Sequence, residues 1–260
     1  MRPPRSLGEQ AENNVRQAPS FIERLKSPLR DAIGRLSRRV AAEEAKHLVY
    51  SHDSARLIAT LIECADYASA NMAGATPHSS LEAVRAAGLA AAPPRGLFLE
   101  FGVWRGETLN MIADHVGPDV RVHGFDSFQG LPEDWVGDYR KGRFDLEGRL
   151  PQVRPNAVLH AGWFADTLPP FAAEERDDIA FLHVDCDLYS SAKTVFDHLG
   201  DRLVPGSVIV FDEYFNYVGW RDHEYKAFQE LVHRRGLRYR YLAYNTHERN
   251  VAVQICERTE

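Results

Sequence analysis

The sequence predicts a doubly wound α/β fold whose mostly parallel sheet ends in a strand pair. Three observations predict it. From residue 97 onward, short apolar runs alternate with amphipathic stretches of helical period. Several of the runs end in Gly or in acids, as strand tips of an open sheet do. The chain then closes on two strand-like segments around a short turn instead of another crossover helix.

The elements follow in order. Phe21, Leu25, Leu29, Ile33 and Leu36 recur at three- and four-residue spacing, and a second helical stretch covers about 54–70. Residues 71–80 are rich in small and turn-forming types and read as a loop, and 92–96 breaks the chain again. Residues 97–102 form a first strand, 120–125 a second, 157–160 a third, 179–184 a fourth and 207–211 a fifth. Leu109, Ile112, Ala113 and Val116 share one face of a helix that Gly117 stops. A further helix covers 191–199. Asp222 is placed to cap a helix bearing Tyr225, Phe228, Leu231 and Val232, with His233, Arg234 and Arg235 at its negative end and Gly236 after it. Residues 239–243 and 251–255 flank a hairpin loop at 245–248. This divides the chain into a basic leader (1–45), a helical cap (46–93) and an α/β domain (94–260).

Composition narrows the function. A net charge of −6 over 260 residues argues against a general nucleic-acid binder. No apolar run approaches the roughly 18 residues of a membrane helix, and residues 1–20 lack an apolar signal core. Cys64, Cys186 and Cys256 are too few and too scattered for a disulfide framework. The expectation is a cytoplasmic protein with a small-molecule partner, no nucleic-acid or membrane partner, and a homo-oligomer as an open option. The leader, with its excess of Arg, is either an arm for an acidic partner or a solvated extension.

Two constellations carry chemistry. The first is the turn after the first strand, where Gly102 and Gly106 allow tight turning and close approach of a ligand. Its spacing is Gly-x-x-x-Gly, which lacks the diphosphate cradle of a dinucleotide site. Glu100 beside it suits a cationic amino group. Asp126, ending the second strand with Ser127 after it, suits ribose hydroxyls or simply caps its own loop. Gly162, Trp163 and Phe164 follow the third strand, where an aromatic either lines an adenine pocket or belongs to the core. The second constellation is acidic. Asp185 and Asp187 leave the fourth strand on one side, and Asp212 and Glu213 leave the fifth. Four carboxylates at one edge repel unless neutralised, so they are either ligands of a hard cation such as Mg²⁺ or exposed caps. On the metal reading Asp185, Asp212 and Glu213 are ligands and Asp187 a base. Tyr214 and His223, with Trp220 and Glu224, lie beyond the fifth strand as acceptor-pocket candidates, and His223 is a rival base.

The segments LFLEFGVWRGETL, GFDSFQGLPE, HAGWFADTLP, HVDCDLYSSAKTVFDHL and GSVIVFDEY resemble the macrocin O-methyltransferase family, which methylates sugar hydroxyls of macrolide and aminocoumarin antibiotics. The resemblance covers about 95–256. It implies a Rossmann-like class I methyltransferase fold, with seven strands and the last antiparallel. It implies S-adenosylmethionine near Glu100, Gly102, Asp126 and Gly162, Trp163 and Phe164, with Gly106, Ser127 and Asp185 as further cofactor-site candidates. It also implies Mg²⁺ held by Asp185 and an acidic pair at 212 and 213. That pair is often Asp-Asp in the family, whereas here it is Asp212-Glu213, one methylene longer.

The expected function is an S-adenosylmethionine- and Mg²⁺-dependent O-methyltransferase acting on a sugar hydroxyl of a natural product, as in antibiotic biosynthesis. The rivals are a metal-independent methyltransferase, a nicotinamide-dependent oxidoreductase, and a non-catalytic protein of the same fold.

Overall fold

The computed structural model describes residues 51–258 and, before them, residues 35, 36, 39, 43 and 46, which are helical. The periodic run at 21–33 and most of the basic leader lie outside the described residues. The chain divides into two compact units, Met1–Ala55 and Arg56–Glu260. The sheet and the site belong to the second.

Helix α1 (His52–Asn71) is followed by a short strand β1 (Thr76–His78) and helix α2 (Leu81–Ala91). The core then alternates β2 (Leu97–Phe101), α3 (Glu107–Val116), β3 (Val122–Asp126), β4 (Ala157–Ala161), α4 (Phe164–Glu174), β5 (Ile179–Val184), α5 (Tyr189–Leu199) and β6 (Val208–Phe211). Helix α6 (Glu224–Arg235) leads into the hairpin β7 (Leu237–Asn245) and β8 (Val251–Arg258). The sheet has eight strands in the order β1-β7-β8-β6-β5-β2-β3-β4. Only the pairings of β8, with β6 and with β7, are antiparallel. This is the class I methyltransferase architecture with one extra edge strand. Residues 71–80 therefore hold more than a loop: Thr76–His78 pairs in parallel with Ala243–Asn245 at the free edge of β7.

Alternation along the strands builds two apolar layers. Leu99, Phe101, Leu182, Val184, Ile209 and Phe211 face α4, α5 and α6. Phe98, Phe181, Val208, Val210 and Ala252 face α2 and α3. The packing of α2 is close because residue 88 is Gly: a Cβ there would stand 2.5 Å from Val210 Cγ2.

The start of α6 differs from the expectation. Asp222 closes a 3-10 turn (Trp220–Asp222), and His223 occupies the cap position without a capping bond. The Glu224 carboxylate in the first turn is fully buried and turned toward the strand tips instead. The hairpin loop is as expected, with Asn245 Oδ1 accepting from the amides of His247 (3.0 Å) and Glu248 (3.1 Å).

Candidate active site

The site grows from three adjacent strand tips on the α2 face. Glu100 in β2 sits beside His183 in β5, and His183 beside Val210 in β6, two residues before Asp212. His183 Nδ1 lies 3.0 Å from Glu100 Oε1, and its Nε2 lies 3.4 Å from Asp212 Oδ1. Burial works against charge on His183, but the bonds to Asp212 and Glu100 outweigh it and raise its pKa. Both ring nitrogens face carboxylate oxygens, a setting that favours the protonated ring. Asp212 is the mirror case. Burial opposes its charge, yet His183 and Arg85 hold its carboxyl below the ordinary range. Asn250 Nδ2 also donates to Asp212 Oδ1 at 2.9 Å.

The glycine turn is fixed by contact with the next strand. Gly102 has φ +92°, and a Cβ on it would fall 1.7 Å from the Asp185 carbonyl oxygen, so no side chain fits. Trp104 (φ 46°) and Gly106 (φ 79°) complete the left-handed path. The amides of Val103 and Trp104 donate to Asp126 Oδ2 at 2.9 and 2.8 Å, and the Phe128 amide donates to Oδ1 at 2.7 Å. Asp126 therefore caps its own loop and also ties down the turn after β2.

Beyond β5 and β6 the acids are poorly compensated. Asp187 has φ 60° and is 7% exposed. Burial and then Asp212 push its carboxyl up to about 7, with Arg249 acting the other way. Burial, Asp212 and Asp187 raise Asp185. Burial and then Asp187 raise Glu213, whose Oε2 is buried without a partner. Glu224 organises these tips: its Oε1 accepts from the amides of Cys186 and Asp187, and its Oε2 from that of Glu213, each at 3.2 Å.

A cavity of about 650 Å³ opens over these groups, a size usual for small-molecule sites. Of the residues singled out in the sequence, Glu100, Gly102, Asp126, Ser127, Gly162, Trp163, Phe164, Asp185, Asp187, Asp212 and Glu213 all line it. Three do not. Gly106 acts from behind the wall as the left-handed cap of α3. Tyr214 is fully buried, its hydroxyl engaged by Tyr241 (2.7 Å) and Gln229 (3.3 Å), which takes it out of the acceptor pocket. His223 packs near Trp135 and Tyr217, and burial lowers its pKa. Phe164 serves both ends of its alternative, lining the cavity while standing edge-on to Phe101.

Sequence reasoning missed several residues of the site. His183 was recoverable, since it stands two residues before Asp185 on a strand. Arg85 comes from α2, and Trp135, Tyr139 and Phe144 from the excursion 127–156 between β3 and β4, which contains no helix or strand. Arg249, on the hairpin, stacks on Trp135 (5.3 Å) and Tyr217 (5.1 Å).

The residues fit an S-adenosyl nucleoside. Glu100 Oε2 is buried without a partner beside the Gly102 turn, which suits a cationic amino group. They also fit a hard divalent cation, because several raised carboxyls and the unpartnered Glu213 Oε2 crowd one edge. Ligand atoms of His183, Asp185 and Asp212 lie within 4.8 Å of one another. Glu213 stands outside that set.

Comparison with known proteins agrees with this geometry. The family model described as macrocin-O-methyltransferase (TylF) matches residues 66–233. A Streptomyces olivaceus protein, 8-demethyl-8-(2,3-dimethoxy-alpha-L-rhamnosyl)-tetracenomycin-C 4'-O-methyltransferase, is 31% identical over 141 residues, covering 46% of this chain and 53% of that protein. Demethyldecarbamoylnovobiocin O-methyltransferase of Streptomyces niveus is 29% identical over 156 residues, covering 51% of this chain and 58% of that protein. The chain thus matches little more than half the length of these relatives. The crystal structure of CalS11, a calicheamicin methyltransferase, superposes with a TM-score of 0.51 at 22% identity, covering 84% of this chain and 91% of that one.

Proposed function

Because the chain belongs to the macrocin O-methyltransferase family, we propose that it transfers a methyl group from S-adenosylmethionine to a sugar hydroxyl of a small natural product with the help of Mg²⁺. The observation that carries this reading is the meeting of an unpartnered Glu100 Oε2 and the carboxylates of Asp185, Asp187, Asp212 and Glu213 in one cavity. When bound, the nucleoside supplies an electrophilic methyl and the cation supplies charge that favours the ionised acceptor hydroxyl.

The chain's own residues do the rest. Glu100 Oε2 would accept from the amino group of the donor's methionine moiety. Gly102 would let the donor approach the backbone, and Asp126 and Ser127 would face its ribose. Gly162, Trp163 and Phe164 would form the wall for its base. Asp185, Asp212 and Glu213 would hold the cation. Asp187 takes the hydroxyl proton, a role suited by a carboxyl poised near neutrality. Alignment of donor and acceptor accounts for most of the rate, since the methyl group is already activated.

The test is Asp187→Asn. Turnover should fall by about a thousandfold, the range of a lost general base, while S-adenosylhomocysteine binding measured by calorimetry stays within a few-fold. Full turnover in this variant removes the base assignment. Activity that persists after exhaustive chelation removes the cation.

A further inference from the structure

The guanidinium of Arg85 stands where the cation's two aspartates converge. Its Nη2 lies 2.6 Å from Asp212 Oδ1 and 3.7 Å from Asp185 Oδ2, with the side chain 12% exposed. Packing puts it there. Gly88 draws α2 against Val210 of β6, and Arg85, one turn earlier on the same helix face, reaches the tip of that strand. Arg85 thus engages both aspartates that the proposed function gives to the cation.

A guanidinium does not lose its proton in a protein, so it cannot yield the site by neutralising. Two cations at one pair of carboxylates repel. One of them must leave, and Arg85 has a long side chain able to swing. It is also imperfectly held, because its Nε is buried without a hydrogen-bond partner. Asp212 would keep His183 and Asn250 after such a swing, so the strand tip would not be released.

We propose that Arg85 is a resident counter-ion that competes with the divalent cation for Asp185 and Asp212. It keeps the acids assembled before loading and sets the cation concentration at which the site fills. The inference rests on the cation reading given above, and it makes Arg85 a positioning residue.

The probe is Mn²⁺, titrated by electron paramagnetic resonance into the chelator-treated full chain. Arg85→Gln should tighten Mn²⁺ binding about tenfold or more, with Arg85→Lys between it and the parent. Metal-free Arg85→Gln should melt below the metal-free parent, and saturating Mn²⁺ should narrow that gap. Binding of Mn²⁺ to Arg85→Gln alone also supports the inference, since the guanidinium then wins outright in the parent. Equal or weaker Mn²⁺ binding in variants that still bind S-adenosylhomocysteine overturns this inference alone. Absence of Mn²⁺ binding in all three proteins overturns it together with the cation reading. Should Arg85→Gln not fold, the Lys variant decides by the same criteria.

Discussion

At the scale of single residues, Glu224 and His123 show how burial converts into measurable stability. Glu224 accepts from three amides at the strand tips, which have no other acceptor among the described residues. Glu224→Ala strands those donors in a dry place, and at about 1–3 kcal/mol for each unmet group the loss should exceed 3 kcal/mol in urea unfolding. His123 makes a pH prediction. Burial, then the neighbouring His160, lower its pKa from 6.5 to about 4. The folded chain therefore binds this proton less readily than the unfolded one. The contribution to stability is whole above pH 6.5 and is lost as pH falls toward 4. At pH 5 the loss is about 2 kcal/mol. Urea midpoints should accordingly fall on acidification, and less steeply in His123→Gln. The acids at 185, 187, 212 and 213 were legible in the sequence because they follow directly on two apolar strand runs, although Asp187 (φ 60°) has already left the extended path on which the period-two reading relied. Arg85 was not, because its reach depends on how closely α2 sits on β6.

At the scale of elements, glycine positions decide where the site residues stand. Gly88→Ala forces a methyl to within 2.5 Å of Val210 Cγ2. Overpacking of this kind costs about 1–3 kcal/mol, so thermal unfolding should move down while donor binding persists. Gly102→Ala is more severe, since the added methyl meets a backbone carbonyl and needs a left-handed φ. It should abolish S-adenosylhomocysteine binding in calorimetry. Elements with regular periods were read from sequence nearly to their ends. Helix α4 was not seen, because Pro169 and Pro170 lie within it and prolines are ordinarily read as breaks. Strand β1 was missed for the opposite reason: three residues carry no period, and only the open edge of β7 makes them a strand. Helix α6 begins after Asp222 because the preceding turn is 3-10 and Glu224 faces inward.

At the scale of the whole molecule, alternation of strands and helices with a closing hairpin was enough to name the architecture, since crossover rules leave few topologies. The cavity's upper wall was beyond that logic, because irregular backbone has no periodic signature. Donor binding should stabilise the fold by linkage. At S-adenosylhomocysteine one hundred times its Kd, the gain is about 2.7 kcal/mol, or roughly 5–10 °C in Tm for a unit of this size. A thermal melt that does not move would mean the cavity does not hold this nucleoside.

The middle of the excursion 127–156 is closed by its own backbone bonds: the Leu131 amide to the Arg143 carbonyl, the Gly142 amide to the Leu131 carbonyl, and the Trp135 amide to the Tyr139 carbonyl. It leaves the sheet at Asp126, the end of β3, and re-enters at Ala157, the start of the parallel β4, at the opposite end of the sheet, since Asp126 pairs with Ala161 and Ala157 with Val122. The ends of the span are tied to the rest of the domain, Phe128 by its amide to Asp126 and Pro151 and Val153 by contact behind Gly106. Only its middle, about 131–143, is closed on itself, so exchanging that stretch would reshape the cavity at Trp135 and Tyr139 while leaving the acids and the glycine turn in place.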